Sequence, residues 1–151
     1  MSVSVGGTGK GASGTNKIPK LSELTFEKQM KFANKYSKNS PIKIPENAII
    51  KAQSKTGYEQ ISYKWIEGGK KYEVRWHTRT PGAPKNQGNT YVVERTLPGN
   101  PNGQRKKKQI LVGEDTWVSK HVWQQAIADR QKGKSTPQQN EILENGHWKA
   151  P

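Results

Sequence analysis

A chain of 151 residues with 30% hydrophobic content has material for one small domain, and its five Trp and five Tyr must supply much of the core. Lys and Arg total 26 against 12 Asp and Glu, a formal charge of +14, so a polyanion or an acidic protein is the partner this composition invites. The absence of Cys excludes disulfides and thiolate chemistry, and no apolar run approaches the length of a membrane span.

In chain order, residues 1–20 read as a flexible linker, because Gly6-Gly7-Thr8-Gly9-Lys10-Gly11 is glycine-rich. Gly9-Lys10-Gly11 faintly resembles a phosphate-binding loop, but no Ser or Thr follows the Lys and no strand precedes it. The folded domain is expected over 21–151. A helix should begin after Thr25 as N-cap, with Glu27 in its first turn and Phe26, Met30 and Ala33 as the core-facing stripe. Ser40-Pro41 ends it, and the Lys- and Pro-punctuated stretch that follows is expected to hold a short helical turn at 45–51.

The clearest local pattern is a β-hairpin over 61–76, folded at Gly68-Gly69. That turn pairs Trp65 with Tyr72, Tyr63 with Val74 and Ile61 with Trp76 on one face. On the other face it pairs Lys64 with Glu73 and Ser62 with Arg75. A slip of one residue would mix the two faces, so the register carries its own support. Further strands are expected at 90–95 and 109–112, joined by a long turn with the basic tip Arg105-Lys106-Lys107-Lys108. A helix follows Ser119 to about Gln131, burying Val122, Trp123, Ala126 and Ile127. A second opens on Thr136-Pro137-Gln138-Gln139, a capping box with Pro at its first position, and stops at Asn145-Gly146. The expected architecture is α+β: an antiparallel sheet of about four strands, an N-terminal helix and two C-terminal helices.

The polar face of the hairpin holds the candidate chemistry. His77 titrates near neutral pH and is the leading general acid or base; Glu73 and Arg75 share its face. Arg79, just beyond, and Lys64, across the hairpin, supply cations for phosphate oxygens. Glu73 either orients His77, serves a metal, or pairs with Lys64 as a solvated ion pair. His147, beside Trp148, is a second catalytic candidate or a residue that docks the tail. His121 reads as a packing or capping residue. The basic tip, with Lys106 and Lys107, attracts polyanions without specifying them. A hard cation such as Mg²⁺ is the one candidate cofactor; its ligands would come from Glu73, Glu114 and Asp115, and the three His have no paired ligand spacing.

Tyr72-Glu73-Val74-Arg75-Trp76-His77, followed by Thr80-Pro81-Gly82-Ala83-Pro84 and then Gly88, Tyr91 and Arg95, resembles the toxin domain called polymorphic toxin type 17. The similarity covers roughly 60–120, and the closing Gly146-His147-Trp148-Lys149 is similar to the tails of related toxins. The resemblance implies the C-terminal nuclease domain of a secreted LXG-type antibacterial protein, acting in the cytoplasm of a competitor and neutralised by a cognate immunity protein, which would be acidic to complement this charge. It implies a fold similar to colicin and EndoU-like toxin nucleases, with the family motif on Arg75, Trp76 and His77 and with Arg95 on the next strand. Thr78-Arg79-Thr80 departs from a more acidic stretch in many relatives, and the basic insert around Lys107 is a second departure. Non-specific DNA cleavage is the first expectation. A metal-independent ribonuclease, in which the RNA 2′-hydroxyl attacks, and a non-catalytic basic nucleic-acid-binding module are the alternatives.

Overall fold

The computed structural model describes residues 18–103 and 105–151. The linker reading falls mostly on residues outside this range, although Ile18 already packs against the core. The chain forms β1 (Ile49–Lys55), β2 (Tyr58–Glu67), β3 (Lys70–His77), β4 (Thr90–Leu97), β5 (Lys107–Leu111), β6 (Trp117–Ser119) and β7 (Trp148–Lys149). Its helices are α1 (Phe26–Ser37), α2 (Lys120–Gln131) and α3 (Pro137–Gly146). The α+β class holds, but the sheet has seven antiparallel strands among the described residues rather than about four. Strands β1 to β6 lie side by side in chain order, and β7 takes up Thr90 and Tyr91 of β4, beyond the reach of β5.

The central hairpin has the register its two-faced pattern demands: Trp65 opposite Tyr72, Tyr63 opposite Val74, Ile61 opposite Trp76, Lys64 opposite Glu73, Ser62 opposite Arg75. The short helical turn expected at 45–51 is a single turn, with the Ala48 N–H on the Pro45 carbonyl at 3.1 Å, and from Ile49 to Lys55 the chain is instead β1, paired along β2. It is an edge strand whose Lys51 and Lys55 stay exposed, the composition that blunts an edge against aggregation and hides it from a hydrophobic pattern.

One face of the sheet carries the aromatic core. Trp76 is wholly buried and stacks on Tyr36 of α1, ring centroids 4.2 Å apart and 9° from parallel. The hydroxyl of Tyr63 donates to the Ala33 carbonyl at 2.6 Å, and that of Tyr91 to the Tyr36 carbonyl. Strands β2, β3 and β4 therefore clamp the C-terminal part of α1. Thr25 caps α1 as expected, accepting from the Lys28 N–H. Its buried stripe is Ala33 and Tyr36 with Phe32 beside them, whereas Phe26 is 73% exposed. The stripe follows the tyrosine that finds Trp76, not the first aromatic in the helix.

The other face is covered only in part. Helices α2 and α3 lie over β4 to β6, closing a second cluster of Val92, Ile110, Val112, Trp123, Ala126 and Leu143. Ser119 caps α2, and Thr136 with Gln139 completes the capping box of α3. Val122, expected inside, points away and is 41% exposed. Gly146 is required for a reason other than the expected helix stop: a Cβ there would lie 2.3 Å from the Trp123 ring. Beyond the helices, the same face of β1 to β3 is left open, with Lys51 and Lys64 exposed.

Candidate active site

His77 ends β3 immediately after the anchored Trp76, and alternation turns it to the helix-covered side, opposite Thr90 of β4. It is 5% exposed. Its Nδ1 lies 3.0 Å from the Thr78 carbonyl. A carbonyl can only accept, so Nδ1 carries the proton and Nε2 keeps its lone pair. Burial pushes the His77 pKa down, which its bond to Thr78 opposes and the nearby Arg75 charge reinforces. Tyr58 meets the ring edge-on at 6.1 Å.

His147 arrives from the other end of the domain. It follows Gly146, whose missing side chain lets the end of α3 settle against Trp123, and β7 then fixes the next two residues to β4. Its ring packs 4.8 Å from Trp123 and stands edge-on to His77 with centroids 6.3 Å apart. Its Nδ1–H donates to the Leu143 carbonyl at 2.7 Å, so its Nε2 is also bare. Burial lowers its pKa to about 4, against the Leu143 bond, with the charges of His77 and Arg130 adding to the fall. Trp148 docks the tail through its Nε1–H to the Leu111 carbonyl at 3.2 Å, and His147 lies beside His77.

Arg130, on the last turn of α2, completes the cluster. Its Nε is buried without an acceptor among the described residues, and burial lowers its pKa. A buried guanidinium N–H without an acceptor, beside His147, is a donor that an anion would satisfy. Nothing in the sequence around Arg130 marks it out. It becomes visible only when α2 crosses the sheet and brings its end to the end of β3.

The remaining candidates are distributed differently. Arg75 bonds Glu73 at 3.2 Å and Glu94 at 3.1 Å, and Lys120 reaches the same Glu94 oxygen at 3.0 Å. Glu73 thus pairs along its own strand with Arg75 and not across the hairpin with Lys64. Burial alone would raise the Glu94 pKa, but Arg75 and Lys120 outweigh it and hold the carboxylate ionised below its usual range. Glu94, a buried acid within an apolar strand, was not singled out from the sequence. Arg79 supports the Pro81–Gly88 loop, its Nε–H donating to the Pro84 carbonyl at 3.0 Å and its Nη2 to the Ala83 carbonyl. Arg95 lies on the opposite face of the sheet, stacked 3.9 Å over Trp117 and bonded to Gln109. His121 is exposed at the start of α2, and Lys106 and Lys107 lie beside it, far along β4 and β5 from His77.

No group of three His, Asp or Glu among the described residues is placed to hold a metal ion. The carboxylates nearest on this face, Glu73 and Glu94, are already matched by Arg75 and Lys120, so the donor set beside the two imidazoles does not fit Mg²⁺. Among the described residues, no helix is long and apolar enough to cross a membrane. Comparisons with known protein families, curated proteins and solved structures found no match to this chain.

Proposed function

We propose that the protein is a nuclease that cleaves RNA through the His77–His147 pair, using the RNA's own 2′-hydroxyl as nucleophile. The observation that carries this reading is the pairing itself: two imidazoles with centroids 6.3 Å apart, each with Nδ1–H fixed on a carbonyl and Nε2 free. One proton must leave the 2′-oxygen and one must reach the departing 5′-oxygen, and two such imidazoles can perform both transfers. His147, with the strongly depressed pKa, is the base; His77 is the acid. A phosphate drawn between them opposes the desolvation that keeps both rings neutral, because its negative charge favours the imidazolium. Arg130, whose Nε–H lacks an acceptor, stabilises charge that builds on the phosphate oxygens. Attack by the 2′-hydroxyl leaves a 2′,3′-cyclic phosphate and a free 5′-hydroxyl.

This choice replaces non-specific DNA cleavage with the ribonuclease alternative, since the residues beside His77 suit proton transfer better than a hard cation. The resemblance to polymorphic toxin domains supports the setting: a C-terminal toxin module of a larger secreted protein, acting in the cytoplasm of a competing bacterium. A chain of charge +14 suits both a polyanionic substrate and an acidic immunity protein.

The test is to incubate the purified protein with total RNA and with plasmid DNA, each with Mg²⁺ or with EDTA. RNA cleavage that persists in EDTA, and is lost in His77→Ala and His147→Ala variants that still fold, is the expected result. Cleavage of neither substrate, or of DNA alone with Mg²⁺, overturns the proposal.

A further inference from the structure

The cleft between the start of β5 and the first turn of α2 has a volume of about 410 Å³ and is lined by Lys106, Lys107, Lys108, Lys120, His121 and Gln124. Lys120 is paired with Glu94, but no ion pair among the described residues neutralises Lys106, Lys107 or Lys108. The cleft is not part of the histidine site. Lys107 pairs with Leu97 at one end of β4, while His77 pairs with Thr90 at the other. Seven residues of strand separate those positions, roughly 23 Å at about 3.3 Å per residue.

Helix α2 connects the two places. Its first residue, Lys120, opens on the basic cleft, and its last turn carries Arg130 to His147. Ten residues of helix put these two cations about 15 Å apart. Lys120 meets Glu94 of β4, which Arg75 of β3 also bonds, while the exposed Lys64 and Lys51 lie on the same sheet face farther out, on β2 and β1. Lys120 at the cleft and Arg130 beside His147 therefore mark the two ends of one helix on this face.

We propose that the Lys106–Lys108 cleft is an exosite for the phosphate backbone of a single-stranded RNA whose scissile phosphate lies at His77 and His147. The proposal rests on the ribonuclease reading. A recessed His77, 5% exposed, favours a flexible single strand over a rigid duplex at the same site. A strand stacked at about 3.4 Å per phosphate covers roughly 23 Å with about seven nucleotides, so a substrate must reach that length to use both points. The cleft then sets affinity for long RNA and plays no part in the chemistry, since its contacts are the same before and during bond cleavage.

The experiment compares the protein with a Lys106→Gln/Lys107→Gln/Lys108→Gln variant, all three positions being exposed, with thermal melts to confirm folding. For a dodecamer, the variant should raise KM about tenfold with kcat unchanged; for a dinucleotide, both constants should be unchanged. Equal effects on the two lengths, or none on either, overturn the exosite. Binding is measured separately by fluorescence anisotropy of a labelled dodecamer, with both proteins carrying His77→Ala. The logarithmic salt slope should fall by about two when three phosphate contacts are lost at about 0.7 each. An unchanged slope overturns the exosite even if cleavage is observed, and a reduced slope supports it even if cleavage is not, so the two readings fail separately.

Discussion

The imidazoles of His77 and His147 stand edge-on with centroids 6.3 Å apart, and each donates its Nδ1–H to a backbone carbonyl. Burial makes each ring hard to protonate, and once one carries a proton the second would also meet its charge. The free protein therefore needs mild acid to reach the one-proton state that acid–base catalysis requires. The pH profile of kcat/KM should peak below pH 6.5, the ordinary value for His, with its acidic limb near the depressed value of about 4 for His147. The profile of kcat should lie at higher pH, since bound phosphate raises both rings. Steady-state kinetics on a defined oligonucleotide from pH 3.5 to 8.5 checks this.

The same depression makes stability pH-dependent. His147 has an ordinary pKa of 6.5 when unfolded and about 4 when folded, so between those values the unfolded chain binds more protons. Stability should fall as pH drops from 6.5 towards 4, by on the order of 2–3 kcal/mol, with His77 adding in the same direction. Urea melts across that range should show the loss, and a His147→Gln variant should flatten it.

Glu94 predicts a second acid-sensitive interaction. Its folded pKa is depressed by Arg75 and Lys120, so its contribution is complete above the unfolded value and disappears as pH falls through the folded one. Glu94→Gln removes the charge these two cations share and should cost about 2 kcal/mol at pH 7. In melts repeated near pH 2.5 the wild type and the variant should converge.

Much of the fold was legible because its strongest signals are local. The Gly68-Gly69 turn and its segregated faces specify the central register, and Thr25, Ser119 and Thr136 announce their helices through caps that need only a few residues. What escaped depends on distant partners. Strand β1 is an edge with lysines, while β6 and β7 have three and two residues, too few for any periodicity to register. Phe26 looked like a core residue, but Tyr36 takes that role because it meets Trp76. His77 could be named from alternation alone. His147 could be named but not placed beside it, and Arg130 could not be named, because they come from the end of α3 and from α2 and only the tertiary fold brings them there. The surroundings of Arg95 and Arg75 were hidden for the same reason, one facing the other side of the sheet and one held by two carboxylates.

Gly146 couples fold and site. Gly146→Ala adds a Cβ 2.3 Å from one atom of the Trp123 ring and 2.7 Å from another, with Val112 at 3.1 Å. Either α3 or Trp123 must move, at a cost of about 2 kcal/mol. Because His147 follows directly and rests on Trp123, cleavage should fall more than the loss of folded protein explains. Thermal melts, with activity measured well below the melting temperature, separate the two effects.

The most direct measurement is cleavage, in EDTA, of an RNA oligonucleotide with a single mapped cut site, beside the same oligonucleotide carrying a 2′-deoxy nucleotide at that site. The account predicts rapid cleavage of the first to a 2′,3′-cyclic phosphate, and none of the second at that position. Comparable cleavage of both, or cleavage only when Mg²⁺ is restored, would contradict it.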